Sequence, residues 1–215
     1  KAGEMAEWTL LRMLQHGVEP NLVTYCTVMD AWAKCGVPER AQDILHGMEE
    51  SGLSHLIPDA FCYCTVMDAW ARSNRPDAAH RADALLQRMK TAHAEGTCRD
   101  APTAPVYTGL VSAWKGNATR ALEILEEMER HKVVHPNGYT YSAVIDAIAK
   151  DDTIEDAGEQ AEAVLQRMLM LHKKGVPNVA PTIVTYTSVV DAWAKSGKGD
   201  YAYKRAKAVV QGMEQ

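Results

Sequence analysis

The chain has 215 residues, 47% of them hydrophobic and 24% charged, which is ample for a continuous core and too apolar for a disordered segment. A formal charge of −5 and a pI near 5.9 argue against nucleic-acid binding through bulk positive charge, because phosphate neutralisation needs clustered Lys and Arg. No apolar run approaches the roughly 20 residues of a transmembrane helix and no basic-then-apolar leader opens at Lys1. The five cysteines (Cys26, Cys35, Cys62, Cys64, Cys98) lack the dense, even spacing of a secreted disulfide scaffold, so a reducing compartment is expected.

In chain order, Ala6, Leu10 and Met13 come first, spaced four and then three, which makes one apolar stripe of a helix; residues 1–21 form a partial unit closed by Asn21. A different pattern follows in Val23-Thr24-Tyr25-Cys26-Thr27-Val28-Met29-Asp30-Ala31-Trp32-Ala33-Lys34. There Tyr25, Val28, Met29, Trp32 and Ala33 fall on one helical face. The breaker Cys35-Gly36-Val37-Pro38 separates it from Ala41/Leu45/Met48, which repeats the opening stripe, and Pro58-Asp59 closes the unit 22–59.

The same two patterns then recur. Phe61 to Arg72 with Ala82/Leu86/Met89 makes unit 60–103. Tyr107 to Ala113-Trp114-Lys115, one residue shorter, with Ala121/Leu125/Met128 makes unit 104–137. Tyr141 to Lys150 with Ala161/Leu165/Met168 makes unit 138–182, and Val184 to Lys195 with Ala206/Val210/Met213 makes a last, incomplete unit 183–215. Successive tyrosines (Tyr25, Tyr63, Tyr107, Tyr141, Tyr186) stand 38, 44, 34 and 45 residues apart. The surplus is expected in the loops Met48 to Pro58, Met89 to Pro102 and Met168 to Pro181, and as roughly one added turn at the start of the second helix after Lys150 and after Lys195. Each unit is thus helix, turn, helix, turn. Such pairs bury their apolar faces only by stacking, so the array 1–215 is expected to be an all-α solenoid of helix-turn-helix repeats.

Beside the apolar face of the first helices, residues at i, i+4 and i+8 form a polar stripe: Cys26/Asp30/Lys34, Cys64/Asp68/Arg72, Ser142/Asp146/Lys150 and Thr187/Asp191/Lys195. A short polar residue at the helix start with a cation two turns later suits a base at one end and a phosphate at the other; the Asp and the cation equally suit an intrahelical ion pair. Acidic residues concentrate in the second helices, among them Glu39, Glu49, Glu123, Glu129, Glu159 and Glu162. Asn21, Asp59, Thr103, Asn137 and Thr182 stand where helix N-caps belong, and the tryptophans lie on the apolar face as core. His131/His135 and Cys62/Cys64 invite a metal, but helical i, i+2 cysteines diverge and no second ligand pair accompanies them, so neither metal nor cofactor is expected. No nucleophile and base arrangement or phosphate-cradling Gly loop emerges, and an enzyme is not expected.

The run Val-Thr-Tyr-x-x-Val-x-Asp-Ala-x-Ala-Lys, then Ala-x-x-x-Leu-x-x-Met and a closing Pro-Asn or Pro-Asp, resembles the pentatricopeptide-repeat family over essentially the whole chain. That resemblance implies a right-handed α-α superhelix that binds single-stranded RNA, one base per repeat, in a mitochondrion or chloroplast, for RNA processing, stability or translation. By the resemblance each base is addressed by the residue after the Tyr and the last residue of the same repeat: Cys26 with Asp59, Cys64 with Thr103, Thr108 with Asn137 and Ser142 with Thr182. Asn21 and Thr187 belong to the incomplete units. Thr108 with Asn137 looks like an adenine reader; Cys26, Cys64, Thr103 and Thr182 depart from the family's usual residues. The resemblance further assigns base sandwiching to Val23, Phe61, Tyr139 and Val184, with Pro105 as a departure, and phosphate contact to Lys34, Arg72, Lys150 and Lys195. The alternative is a non-catalytic protein-interaction scaffold, such as a subunit of a ribosomal or RNA-processing complex; neither reading involves a membrane.

Overall fold

The computed structural model describes residues 1–130 and 133–213, which are helical with short connections and, among the described residues, contain no strand. They form two compact units, 1–113 and 114–215. The division falls inside the repeat 104–137, between its first and second helices.

The first unit holds α1 (Ala2–Gln15), α2 (Leu22–Lys34), α3 (Pro38–Glu50), α4 (Ala60–Arg72), α5 (Ala78–Glu95) and α6 (Ala104–Ala113), with a single 3₁₀ turn at Ser54–Leu56. Helices α2, α4 and α6 carry the tyrosine pattern and pack against one another in that order; α1, α3 and α5 carry the methionine pattern and pack beside them. The second unit holds α7 (Ala118–Arg130), α8 (Gly138–Ala149), α9 (Ala157–Lys173), α10 (Ile183–Lys195) and α11 (Gly199–Met213). There α8 packs on α10, while α7, α9 and α11 flank them.

The Ala-Leu-Met stripe is the core away from the chain's ends, as its spacing requires; α1 buries only Leu10 of its stripe, and α11 buries Ala202 and Val209 while Val210 and Met213 stay exposed. Ala41, Leu45, Met48, Ala82, Leu86 and Met89 in the first unit, and Ala121, Leu125, Met128, Ala161, Leu165 and Met168 in the second, are all buried. Each Leu or Met withdrawn from water contributes about 1.5–3 kcal/mol, so the stripe alone outweighs the weak helix propensities around it.

Of the tryptophans expected as core, Trp70 and Trp193 are buried and Trp32 and Trp114 half-buried, and the rings of Trp32, Trp70 and Trp193 are each fixed by a neighbouring second helix. The Trp193 indole N–H donates to Glu162 at 3.0 Å, that of Trp32 to Glu7 at 3.0 Å, and that of Trp70 to the Gln42 side chain at 2.9 Å. Four residues before each glutamate stands a glycine, Gly158 or Gly3, and a Cβ there would lie 2.5 Å from the indole ring. The glycine lets the ring lie flat on the helix while the carboxylate receives its N–H. Arginines complete the arrangement: Arg205 binds Glu162, and Arg40 binds Glu7 with its guanidinium 5.7 Å from the Trp32 ring centre.

The surplus residues settle differently from the sequence expectation in two places. The added turn expected after Lys150 does not form: α9 begins only at Ala157. The reason is Asp151, buried in the preceding turn, whose Oδ2 accepts the Ala118 N–H at the start of α7 at 2.8 Å while Oδ1 accepts the Thr153 N–H at 3.0 Å. The added turn after Lys195 does form, since α11 begins at Gly199. Part of what was expected as loop is helix, because α5 runs on past Met89 to Glu95 and α9 past Met168 to Lys173. Gly96 at φ +78 ends α5 in the left-handed region that favours glycine.

Candidate nucleic-acid interface

The N-termini of the first helices are built alike. Asn21, Asp59, Asn137 and Thr182 are extended N-cap residues, and their side chains accept the backbone N–H of Thr24, Cys62, Thr140 and Thr185. At α8 and α10 the third helical residue answers, Thr140 and Thr185 receiving the cap's own N–H in a capping box. Thr103 stands just before α6, its carbonyl accepting the Tyr107 N–H at 3.2 Å. The cap reading of these positions therefore holds at four sites. For Asn and Asp it leaves the second polar atom of the side chain uncommitted by the cap bond, whereas Thr182 spends its single hydroxyl on the box.

Between consecutive first helices the residue after one tyrosine meets the residue before the next. In the second unit Ser142 Oγ and Thr185 Oγ1 are 2.7 Å apart, beside the Thr182 cap. In the first unit Cys26 Sγ and Cys62 Sγ are 3.0 Å apart, within 4.8 Å of an Asp59 carboxylate oxygen. The structure thus brings together Ser142 with Thr182 and Cys26 with Asp59, the pairs the sequence proposed, and adds Thr185 and Cys62 as third members. Both are three residues past an N-cap, and that offset was the sequence signal for this position.

Burial distinguishes the residues that follow the tyrosines. Cys26 is buried, Cys64, Thr108 and Ser142 are half-buried, and Thr187 is exposed. Thr108 and Thr187 donate their hydroxyls to the carbonyls of Ala104 and Ile183 one turn back. Burial, with Asp68 and Asp59 nearby, pushes the Cys64 thiol up to about 12, so it stays protonated. Thr108 lies in the first unit and Asn137 in the second.

The sandwiching positions stand open. Val23 is 71% exposed, Phe61 64%, Tyr139 81% and Val184 65%, and Pro105 is exposed too. In the second unit, Tyr139 and Val184 line a cavity of about 460 Å³ whose other walls are Asn137, Ser142, Thr182 and the loop residues Asn178 and Ala180. The loop is held there because the Gly138 N–H donates to the Asn178 carbonyl at 2.7 Å, Asn178 itself sitting at φ +59. An analogous loop in the first unit holds the start of α4, where the Ala60 N–H donates to Asp100 at 3.0 Å. Asn178 and Asp100 were invisible in the sequence, being Asn and Asp of insertion loops that carry no periodic pattern.

Every cation of the polar stripe is ion-paired within its helix: Lys34 with Asp30 at 2.6 Å, Arg72 with Asp68 at 3.2 Å, Lys150 with Asp146 at 2.6 Å and Lys195 with Asp191 at 2.7 Å. Asp191 raises the Lys195 ammonium above its ordinary value. These pairs are exposed, each worth about 0.3–0.5 kcal/mol, and so are easily opened by a competing anion. The second-helix acids are directed elsewhere. Glu49 receives the Tyr63 phenol and Arg88, and Glu129 receives the Tyr141 phenol at 2.9 Å and Arg167.

Of the residues that invited a metal, Cys62 faces Cys26 while Cys64 is half-buried on its own, so the two do diverge along α4. His135 is exposed and His131 lies outside the described residues.

Pentatricopeptide-repeat models match residues 23–53 and 184–204, and a pentatricopeptide repeat domain model matches residues 105–151. Among solved structures, the crystal structure of the pentatricopeptide repeat protein PPR10 from maize is 26% identical with a TM-score of 0.64 over 98% of this chain and 27% of that one. PPR10 in complex with an 18-nt psaJ RNA element is 21% identical with a TM-score of 0.69 over 97% of this chain and 28% of that one. The chain therefore spans little more than a quarter of the length of these proteins. No curated protein sequence matches it significantly. Pentatricopeptide repeats are thus present at residues 23–53, 105–151 and 184–204, in a chain whose paired helices share the fold of PPR10.

Proposed function

We propose that the chain binds single-stranded RNA without chemistry of its own, seating nucleobases in slots between the N-terminal ends of consecutive first helices. The observation that carries this is the cavity between α8 and α10. It is large enough for a small planar ligand, flanked by the outward-facing Tyr139 ring and Val184, and rimmed with hydroxyl and amide groups from Ser142, Thr182 and Asn137. Exposing an aromatic ring to this extent costs solvation free energy that stacking on a base would return, and stacking is worth about 1–3 kcal/mol per base. The polar rim selects by hydrogen bonding; hydroxyls both donate and accept, so Ser142 and Thr182 discriminate weakly, whereas an Asn or Asp can offer the atom its cap leaves over. The stripe cations supply phosphate contact by exchanging their Asp partner for the RNA backbone.

Binding of short single-stranded RNA pools by native and Tyr139→Ala protein tests this directly. Tyr139→Ala is expected to weaken binding roughly five- to a hundredfold with an unchanged melting temperature, because the ring is exposed. Equal affinity of the two proteins, or no binding by the native protein at low salt, overturns the proposal. The near-neutral stripe favours one competing reading, a peptide-binding scaffold, which the second of those results would promote.

A further inference from the structure

The slot between α2 and α4 differs from the slot between α8 and α10 in one chemical respect. Where the second unit has a hydroxyl pair, Ser142 and Thr185, the first has a thiol pair, Cys26 and Cys62, with sulfurs 3.0 Å apart. The remaining cysteines have no such arrangement. Cys35 is exposed, with its sulfur accepting the Gly3 N–H, and Cys98 is buried, with its thiol on the Asp100 carbonyl. We infer that Cys26 and Cys62 form an oxidisable dithiol, the oxidised form of which is a disulfide joining the first helices of two consecutive repeats.

The geometry selects a disulfide over a metal. Asp59, whose Oδ1 accepts the Cys62 N–H at 3.0 Å as the helix cap, completes a potential three-ligand set with the two thiols through its other oxygen, so the sulfur separation decides. Two thiolates on one tetrahedral zinc, with Zn–S of about 2.3 Å, must stand roughly 3.8 Å apart. The observed 3.0 Å is inside that spacing and about 1 Å from an S–S bond, a gap that small side-chain rotations close.

The two thiols also have unlike roles. The contact with Cys62 lowers the Cys26 pKa despite burial and the nearby Asp59, while the same contact and full burial push Cys62 far up. Cys26 is therefore the readier of the two to ionise, and as a residue it retains 6% exposure where Cys62 has none. With a peroxide as oxidant, the Cys26 thiolate attacks one peroxide oxygen and breaks the O–O bond; the departing hydroxide takes a proton and leaves as water, and Cys26 becomes a sulfenic acid. The Cys62 sulfur then attacks the Cys26 sulfur and expels the sulfenic oxygen, which leaves as a second water with the Cys62 proton. Two thiols and one peroxide give one disulfide and two waters, and two electrons pass from the sulfurs to the peroxide.

Native protein treated with dilute hydrogen peroxide, unfolded in an alkylating agent and digested without reductant tests the inference by mass spectrometry. The expected product is a cross-linked peptide pair lighter by two hydrogens than the sum of its parts and abolished by dithiothreitol, formed while Cys98 remains fully alkylated. Cys62 and Cys64 share a tryptic peptide, so fragmentation must assign the link to Cys62. Cys62→Ser, which reproduces the hydroxyl of the other slot, should halt the reaction at a Cys26 sulfenic acid captured by dimedone. Oxidation of Cys26 to a sulfinic acid with Cys62 still alkylated, a link to Cys64, or reaction no faster than that of Cys98 overturns the inference. So does protection of both thiols by zinc alone that a chelator reverses. None of these readouts involves RNA, so they stand or fall apart from the proposed function.

Discussion

One methyl group distinguishes two glycines that look alike in the sequence. Gly47 in α3 faces open space, so Gly47→Ala should stabilise the protein by about 0.5–1 kcal/mol through helix propensity. At Gly158 the added carbon would press on the fully buried Trp193 ring at 2.5 Å. That overpacking costs about 1–3 kcal/mol, so Gly158→Ala should destabilise despite the same propensity gain. Opposite shifts of the two urea midpoints are the expected result, and equal shifts would show that the indole does not lie against α9. Asp151 gives a pH effect. Burial pushes its carboxyl up, but the Thr153 hydroxyl and the N–H groups of Ala118 and Thr153 outweigh that and hold it below its ordinary value of 3.8. Its stabilisation is complete above that value and lost as pH falls through the lower folded one. Asp151→Asn, which cannot titrate but keeps only one oxygen to accept these N–H groups, should lower the melting temperature at neutral pH and flatten its fall below pH 4, and an unchanged acid limb would contradict the assignment. Neither feature was legible from sequence. Gly158 and Glu162 serve a tryptophan on another helix, and Asp151 serves a backbone N–H on α7, so no local spacing announces them.

At the scale of the helix, most of the fold was legible because apolar residues recur at helical spacing and Asn, Asp or Thr stands where each first helix starts. The connections were less so: Asp100, Asp151 and Asn178 find their partners in other elements, which turned expected helix into turn after Lys150 and made structured walls of expected loops. The caps carry a testable double role. Asn137→Ala should cost about 1 kcal/mol of stability, whereas Asn137→Asp retains the acceptor for the Thr140 N–H and should cost little. If the amide also meets RNA, Asn137→Asp will change base preference at matched stability. An identical preference with both melting temperatures as expected would confine Asn137 to capping.

Across the molecule, a formal charge of −5 coexists with a cation on the polar stripe of four first helices, because the second-helix acids are taken up by Tyr63, Tyr141, Trp32, Trp193 and neighbouring arginines. The stripe itself is neutralised by its own aspartates. Charge totals could not reveal this, since they carry no information about faces. Replacing Asp30, Asp146 and Asp191 together by Asn frees three lysines from pairs of about 0.3–0.5 kcal/mol each, and should tighten RNA binding roughly three- to tenfold. The slope of log affinity against log salt should steepen as well. Unchanged affinity and slope would mean that the lysines face their aspartates alone.

The tryptophan clamp bears on how such repeats could be rearranged. Gly3 and Glu7 lie before the boundary at residue 21 and Trp32 and Arg40 after it; Gly158 and Glu162 are divided in the same way from Trp193 and Arg205 by the boundary at residue 182. A cassette excised from tyrosine to tyrosine leaves half of this clamp behind at each end. Grafts cut within the turn that follows each first helix would separate Trp from Arg instead, so transplantable modules must carry either the whole quartet or a compatible donor junction.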